Sequence, residues 1–188
     1  MSARDQASSG DVPILTGDRL VLRPPRRSDA DDRLAIGRDP EIQRMYGREP
    51  DGRALTWQEA TEWLARLSAH PCAWVIEHDG RAVGEVRLDD LDRHDERASL
   101  AIGIAAAGLL GQGLGTEALH LVIAQAFGPL GLHRLSVRVL AYNTRAIRAY
   151  QSCGFVVEGR EREAARVGEE RHDDLIMGLL ATEWAASR

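Results

Sequence analysis

The 188-residue chain has the length of one ordinary domain with its own core, and 44% apolar with 28% charged residues is typical of a soluble globular protein. Its formal net charge of −5 at pH 7 argues against a protein that coats nucleic acid. The two cysteines, Cys72 and Cys153, form no CxxC pair. We therefore expect neither a disulfide framework nor a metal site, and a cytoplasmic location suits them.

The N-terminal residues 1–12 lack the apolar core of a signal peptide, and they are expected to form a polar, mobile tail before one domain at 13–188. The uncharged stretch 98–116 has the length of a membrane span. However, it contains five glycines and Gln112, and its apolar content is largely alanine. We therefore expect no membrane partner.

The first half of the chain predicts one strand, then helices, then three strands. Alternation of apolar and polar residues over 18–25, closed by two prolines, predicts an edge-type strand. The next segment indicates one or two short helices, followed by a longer helix that begins at Thr56 with Glu59 in capping-box spacing. Two strand patterns around residues 78–80 predict a hairpin, and residues 98–104 predict a third strand.

The second half begins with a loop that contains four glycines within eight residues, 108–115. A helix follows, since the apolar residues from Leu119 to Phe127 share one helical face. A strand, a short helix capped by Asn143 or Thr144, and a final hairpin complete the order β-αα-βββ-α-β-α-ββ. This order predicts one mixed α/β domain.

The glycine loop, between a strand and a helix N-terminus, suits an anion because its N–H groups and the helix dipole face the ligand. A P-loop needs Lys-Ser/Thr after its last glycine, whereas Gly115 is followed by Thr116 and Glu117. The dinucleotide pattern G-x-G-x-x-A fits residues 113–118 better. Yet no Asp or Glu between Glu117 and Glu158 is available for the ribose hydroxyl, so this interpretation is weak.

The segment after the loop is locally positive in a chain that is acidic as a whole. Residues 118–157 contain two histidines, no carboxylate and four arginines, namely Arg134, Arg138, Arg145 and Arg148. Such a segment suits a ligand with several phosphates. The alternative is that these are ordinary solvated arginines on a strand and a helix.

Two ordered motifs carry a resemblance to a known family. Residues 110–115 resemble the acyl-CoA pyrophosphate loop Q/R-x-x-G-x-G/A of the GNAT superfamily of N-acyltransferases, with Leu110 in place of the first Gln or Arg. About 30 residues later, a second segment is similar to the N-x-x-A-x-x-x-Y-x-x-x-G-F pattern of that family through Asn143, Ala146, Tyr150, Gly154 and Phe155. Residues 19–24, 59–64 and 172–184 are similar to the RimJ/RimL-like branch of this family, which acetylates ribosomal-protein N-termini.

The resemblance implies a single GNAT-like domain with a central, mostly antiparallel twisted sheet of about six or seven strands flanked by helices. It implies direct acetyl transfer from acetyl-CoA to a primary amine, either a protein N-terminus or a small molecule. Relatives are often homodimers, so a homodimer is compatible with the resemblance. The alternatives are a non-catalytic acyl-CoA-binding module and, less favoured, a dinucleotide-binding enzyme.

The family likeness also implies roles for individual residues. Acetyl-CoA would be bound by residues of the fourth predicted strand, the glycine loop and the second motif, namely Ile104, Ala105, Leu110, Gly111, Gln112, Gly113, Leu114, Gly115, Thr116, Asn143, Arg148 and Tyr150. Tyr150 would be the general acid for the leaving thiolate. Oxyanion stabilisation would come from a backbone N–H around residues 103–105.

The general base is less clear, because Ser99 stands where many relatives have a glutamate. Glu85 is the first candidate, and the others are Asp89, Asp90, His172 and Asp173. The acceptor would bind between the early helices and the final strands. Three aromatic residues of the first half could line this acceptor pocket or lie in the core, and the core is favoured, namely for Tyr46, Trp57 and Trp63.

Overall fold

A computed structural model describes residues 12–186 of the chain. The predicted tail lies outside these residues except for Val12, which packs against the core. Eight strands are present: β1 (Leu15–Thr16), β2 (Val21–Arg23), β3 (Ala73–His78), β4 (Arg81–Asp92), β5 (Arg97–Ile104), β6 (Arg134–Leu140), β7 (Val156–Val167) and β8 (Glu170–Leu180). Six α-helices accompany them: α1 (Asp29–Ile36), α2 (Pro40–Met45), α3 (Trp57–Ala69), α4 (Leu114–Phe127), α5 (Thr144–Ser152) and α6 (Ala181–Ala186).

The eight strands form one open sheet in the order β1-β2-β3-β4-β5-β6-β8-β7. Neighbouring strands are antiparallel with one exception, the parallel pair β5–β6. The predicted mixed α/β fold with a mostly antiparallel sheet is therefore confirmed. The sheet has one strand more than the upper end of the predicted range.

Several helix boundaries follow from local sequence. Thr56 and Glu59 form the predicted capping box of α3, because each side chain bonds to the backbone N–H of the other residue. Asn143 caps α5 by accepting a hydrogen bond from the N–H of Ala146 at 3.1 Å. The predicted hairpin turn at residues 78–80 joins β3 to β4.

The two ends of the sheet differ from the predicted elements. The strand predicted at residues 18–25 is the short β2, and a further short strand, β1, precedes it. The chain folds back between Thr16 and Val21, so β1 pairs with β2. Two short helices and one longer helix precede β3, as the helix signals allowed, although the condensed order β-αα counted only two. The last strand ends at Leu180 and the chain continues as α6, where Phe127 contacts Trp184 at a ring-centroid distance of 5.6 Å.

The core lies on both faces of the sheet. The larger cluster joins the sheet to α4 and α5, and Ile123, Trp74 and Phe155 are buried in it. A smaller cluster on the opposite face joins β3 and β4 to α3 through Leu67 and Val75. The sheet is thus covered on both sides, and each layer of helices carries part of the site.

A buried ion pair fixes α1 to the sheet. Arg23 of β2 donates two hydrogen bonds to the carboxylate of Asp29, at 2.9 and 2.7 Å, and their side chains are 3% and 0% exposed. Arg23 also bonds to Glu77 of β3. Burial opposes the charge of Arg23, but the bonds to these two carboxylates outweigh it and raise the pKa of the guanidinium.

Candidate active site

A cleft opens where β5 and β6 separate. The two strands pair only from Arg97–Ser99 to Arg134–Ser136, whereas β5 continues to Ile104. The cleft has a volume of about 1770 Å³ and is lined by α1 to α3, β4, β5, the glycine loop and α5. This volume exceeds the roughly 300–1,000 Å³ of common small-molecule pockets, so one cleft has room for two ligands side by side.

The glycine loop lies along one wall of this cleft. Gly111 and Gly113 have left-handed φ values of 75° and 83°, and Gly113 is the N-cap of α4. Among the hydrogen bonds of residues 12–186, none uses a backbone N–H of residues 111–116. A run of free N–H groups at a helix N-terminus fits the phosphates of a CoA-type ligand.

Leu110 and Gln112 take different places in this loop. Leu110 lines the cleft, so an apolar side chain stands at the position where the family motif has Gln or Arg. The side chain of Gln112 turns back and donates to the carbonyl of Gly108 at 2.7 Å. Gln112 can therefore contribute to an anion only through its backbone N–H.

The glycine loop is held in place by Arg19, which precedes β2. The guanidinium donates to the carbonyl of Gln112 at 2.7 Å and to the carboxylate of Glu117 at 2.9 Å, and the backbone N–H of Arg19 donates to the same carboxylate at 2.8 Å. Burial works against the charge of Glu117, but the bonds from Arg19 outweigh it and lower the pKa of this carboxyl. The one acid beside the loop is thus neutralised by an arginine that sequence reasoning did not single out.

We expect the substitution Arg19→Ala to weaken CoA binding about fivefold, because it frees the loop and leaves the charge of Glu117 uncompensated near the anion. The expected change is ~1 kcal/mol, since Arg19 is half exposed and exposed ion pairs contribute little. Calorimetric titration with CoA measures it. Arg97→Ala is the matched control, because Arg97 forms exposed pairs with Asp92 and Asp95 at the other end of β5. An unchanged dissociation constant would mean that the loop keeps its shape without Arg19.

Tyr150 of α5 is buried, lines the cleft and packs its ring against Phe155 at a centroid distance of 5.7 Å. Burial raises the pKa of its phenol to about 12. No hydrogen bond within residues 12–186 uses its hydroxyl. The phenol is therefore protonated at neutral pH and free to donate to a ligand.

Asn143 and Arg148 belong to the same motif as Tyr150, but only one of their side chains is free to bind a ligand. The side chain of Asn143 is engaged twice, because it caps α5 and also donates to the carbonyl of Met45 at 3.3 Å. Arg148 is exposed, lines the cleft and has no carboxylate partner in the described part of the chain. Arg148 is thus a cation of the cleft wall that is free to meet an anionic ligand.

The positive segment seen in the sequence is mostly neutralised by distant acids. Arg134 pairs with Glu158, and Arg145 pairs with Glu41. Arg138 pairs with Asp174 at 2.6 Å and with Glu161 at 3.2 Å. The alternative interpretation, ordinary arginines on a strand and a helix, therefore holds for these three.

Glu85 lies on the opposite wall, across from Gly103 on β5. Its carboxylate accepts hydrogen bonds from the indole N–H of Trp63 and from Arg87, the latter at 2.6 Å. Of the residues considered as a base, Glu85 lines the cleft, whereas the others lie outside its wall, namely Asp89, Asp90, His172 and Asp173. Ser99 is half-buried in the sheet, with its hydroxyl 3.3 Å from that of Ser136.

For Tyr46 the core was favoured over the acceptor pocket, and this expectation was wrong, because Tyr46 lines the cleft. The residue is 50% exposed, but its hydroxyl points down to β5, where a Cβ added to Gly103 would lie 1.5 Å from the phenolic oxygen. Burial of this hydroxyl raises its pKa, and the nearby Glu85 and Tyr150 raise it further. Trp57 is likewise exposed, at 51%, and Trp63 is half-buried beside Glu85.

The end of β5 was expected to offer one backbone N–H among residues 103–105. The N–H of Ala105 already donates to the carbonyl of Val83 at 2.8 Å, so Ala105 cannot supply it. Because N–H groups alternate in direction along an antiparallel pair, the N–H of Ile104 points away from β4 toward the open side. Ile104 therefore carries the available donor.

Comparison with known proteins indicates the family. A family model described as an acetyltransferase (GNAT) domain matches residues 19–156. A Bacillus subtilis (strain 168) protein provisionally named as ribosomal N-acetyltransferase YdaF is 29% identical over 111 residues, 59% of this chain and 60% of that relative. The probable N-acetyltransferase YjcK of the same strain is 26% identical over 175 residues, 89% of this chain and 97% of its own length.

A solved structure has the same architecture. The spermidine N-acetyltransferase from Vibrio cholerae, in complex with CoA and spermine, gives a TM-score of 0.75 at 23% identity, covering 90% of this chain and 99% of that one. At this identity the likeness concerns the fold. None of the helices within residues 12–186 has the length and apolar character that crossing a membrane requires. The fold, the separated strand pair with its glycine loop, and a family match over most of the chain lead to one conclusion: this chain belongs to the GNAT family of acetyltransferases.

Proposed function

We propose that the protein transfers an acetyl group from acetyl-CoA directly to a primary amine. The observation that carries this proposal is the presence, in one cleft, of the free N–H groups of residues 111–116 and the unbonded hydroxyl of Tyr150. The loop suits the pyrophosphate, and Arg148 is free for a further phosphate. Acetyl-CoA supplies an activated thioester carbonyl when bound.

The residues of the cleft match the demands of this reaction. The amine nitrogen attacks the thioester carbonyl carbon, the C–S bond breaks, and the nitrogen loses one proton. Glu85 is positioned to receive that proton, directly or through water, and the N–H of Ile104 is positioned to donate to the carbonyl oxygen. No covalent enzyme intermediate is needed, and Cys153 is buried, with burial raising the pKa of its thiol to about 11.

Tyr150 would stabilise the departing thiolate. Its phenol, with a pKa of about 12, holds its proton more tightly than an ordinary thiol with a pKa of about 8.5. We therefore propose that Tyr150 acts mainly by donating a hydrogen bond to sulfur, and that solvent completes the proton transfer. This role is weaker than the general-acid role that the motif implies, in which Tyr150 would transfer its proton to the same sulfur.

The acceptor class and the setting of the reaction are further proposals. Resemblance to the RimJ/RimL-like branch and the name of YdaF support protein N-termini, whereas the spermine bound to the Vibrio cholerae protein supports small amines. A cytoplasmic location and a homodimer are proposed on the same resemblance.

A thiol-release assay with acetyl-CoA over a panel of amines tests the proposal. The panel contains small amines, polyamines, aminoglycosides and peptides with free N-termini, and calorimetry with CoA and NAD runs beside it. Thiol release that depends on an amine supports an acetyltransferase. Tight CoA binding without release from any amine would instead indicate a non-catalytic binding module, and binding of NAD would indicate a dinucleotide enzyme.

A further inference from the structure

Tyr46 shows the reverse of the usual arrangement of a surface tyrosine. The residue is half exposed, yet its hydroxyl is directed inward to β5, where a Cβ on Gly103 would lie 1.5 Å from the phenolic oxygen. No hydrogen bond within residues 12–186 uses that hydroxyl. A tyrosine that only packs buries its ring and keeps its hydroxyl in water or paired. The inverted arrangement indicates a ligand group as the partner of this hydroxyl.

The main chain holds this phenol at a fixed point of the cleft wall. Tyr46 ends α2, where its N–H donates to the carbonyl of Ile42 at 3.1 Å, and Gly47 turns the chain away with a left-handed φ of 71°. The carbonyl of Met45 accepts from the side chain of Asn143 at 3.3 Å, which ties the end of α2 to the opposite wall. The hydroxyl therefore reaches β5 from a helix end that is bonded on both sides of the cleft.

Gly103 leaves room for the hydroxyl beside Glu85. The phenolic oxygen of Tyr46 occupies the space that a side chain at Gly103 would fill. Gly103 is directly opposite Glu85 in the β4–β5 pair, and the side chains of such a pair share one face, with Cβ atoms about 5 Å apart. The hydroxyl of Tyr46 and the carboxylate of Glu85 are therefore neighbours on one face of the sheet.

This face is the one that α3 covers, and it is not the face of Tyr150. Trp63 of α3 packs against the smaller core cluster and bonds to Glu85 with its indole N–H. Tyr150 belongs to the larger cluster on the opposite face, against which Ile104 also packs. The two phenols thus approach the end of β5 from opposite sides of the sheet. Tyr150 is on the side of the glycine loop and α5, and Tyr46 is on the side of the proposed base.

The attacking amine needs two hydrogen-bond acceptors on this side. A neutral primary amine has one lone pair and two N–H groups, and both N–H groups point away from the thioester carbon when the lone pair points to it. Glu85 can accept from one of them, although its oxygens already accept from Trp63 and Arg87. The phenolic oxygen of Tyr46 has free lone pairs for the other.

We propose that Tyr46 is a catalytic residue that binds the acceptor nitrogen, its oxygen accepting one N–H of a primary amine while Glu85 accepts the other. This inference rests on the proposed acetyl transfer and adds a residue and a substrate class to it. The N–C bond forms and the C–S bond breaks; Glu85 receives the amine proton and passes it to solvent, and the thiolate takes a proton from solvent. Tyr46 itself transfers no proton, because burial and the nearby Glu85 raise the pKa of its phenol.

The arrangement distinguishes primary from secondary amines. A secondary amine has a single N–H, which must face Glu85 because this proton has to leave. Its second substituent would then point at the oxygen of Tyr46, which would be crowded and would remain without a hydrogen bond. A site built around an N–H disfavours the analogue that lacks it, so we expect a preference for primary amines.

Matched amines that differ by one N-methyl group test this inference. The pairs are ethanolamine with N-methylethanolamine, and the best amine of the panel with its N-methyl derivative. Wild-type kcat/KM should favour the primary amine about tenfold or more. Tyr46→Phe keeps the ring and removes the oxygen, so kcat/KM should fall about fivefold for the primary amine and stay equal or rise for the N-methyl derivative. CoA affinity, measured by calorimetry, should be unchanged.

Two further variants make the result specific. Tyr150→Phe is the comparison, because the departing sulfur is common to both amines; both rates should fall by the same factor and the preference should remain. Gly103→Ala places a methyl group where the phenolic oxygen lies, at a residue whose φ is not left-handed, and should lower the preference as Tyr46→Phe does. Thermal unfolding verifies that each variant is folded, and Gly103→Ala decides if Tyr46→Phe is not.

The outcomes separate this inference from the proposed function. A preference for primary amines that Tyr46→Phe leaves unchanged overturns the inference and leaves acetyl transfer standing. An equal loss of rate with both amines in Tyr46→Phe overturns it as well, because the phenol would then only support the shape of the cleft. If no amine releases thiol from acetyl-CoA, the proposed function fails and the inference fails with it.

Discussion

Replacing Tyr150 with phenylalanine is expected to lower kcat by about tenfold or more and to leave acetyl-CoA affinity nearly unchanged. The ring of Tyr150 packs against Phe155, and the substitution keeps that contact. What it removes is a hydroxyl that no hydrogen bond within residues 12–186 uses. The loss therefore falls on a group needed only when the thiolate departs, and it should appear in kcat and kcat/KM equally.

Two other phenols serve as comparisons for this experiment. Tyr142→Phe is the matched control, because the hydroxyl of Tyr142 donates to the carbonyl of Arg44 at 2.6 Å and lies outside the cleft wall. Tyr46→Phe tests the second phenol near the reaction centre. If Tyr150→Phe retains full turnover and Tyr46→Phe loses it, the hydrogen bond to the departing sulfur must be assigned to Tyr46 instead of Tyr150.

The pH dependence gives a further readout of Tyr150. An ordinary tyrosine loses its proton near pH 10, whereas burial raises the pKa of Tyr150 to about 12. Because a raised pKa keeps the donor form populated to higher pH, the rate should rise as the amine loses its proton and should not fall again up to pH ~10. A descending limb below that pH, present in wild type and absent in Tyr150→Phe, would contradict the raised pKa.

The substitution Asp29→Ala is expected to lower the free energy of unfolding by about 3–5 kcal/mol. Asp29 is fully buried, pairs with the buried Arg23 through two hydrogen bonds, and also accepts from the N–H of Arg26 at 2.6 Å. Without Asp29, Arg23 keeps Glu77 as a carboxylate partner but loses the carboxylate to which it donates two hydrogen bonds. Breaking a buried pair leaves a charge that neither water nor protein fully compensates.

Equilibrium urea denaturation measures this effect against a control on the same helix. Asp31→Ala also removes an acid from the first turn of α1, but Asp31 is exposed, so the expected loss is below about 1 kcal/mol. Equal, small losses for both variants would show that Glu77 alone is sufficient for Arg23.

Local sequence predicted those elements whose causes are local. The capping box of Thr56 and Glu59, the turn at residues 78–80, and the glycine loop before α4 all depend on residues within a few positions of one another. The same holds for the cap at Asn143. The order of these signals was sufficient to predict the fold class, and the two ordered motifs indicated the family.

Predictions that depended on long-range contacts were less accurate. Residues 18–25 gave one strand pattern, but the division into β1 and β2 depends on where the preceding segment pairs. The residues after Leu180 satisfy a strand pattern as well as a helix, and the packing of Trp184 in α6 against Phe127 in α4 selects the helix. Short apolar runs are ambiguous for this reason.

By itself the sequence determined the mixed α/β fold, the anion-type loop at the start of α4, and the placing of Asn143 and Tyr150 in one helical segment, because short-range spacing encodes all three. Only the tertiary structure decided which charges remain free. Arg134, Arg138 and Arg145 are neutralised by acids distant in sequence, and Arg19 neutralises Glu117 across 98 residues. Arg33 and the Nε of Arg38 are left without carboxylate partners on the cleft wall. Charge pairing across a folded chain depends on three-dimensional distance, which spacing along the chain does not reveal.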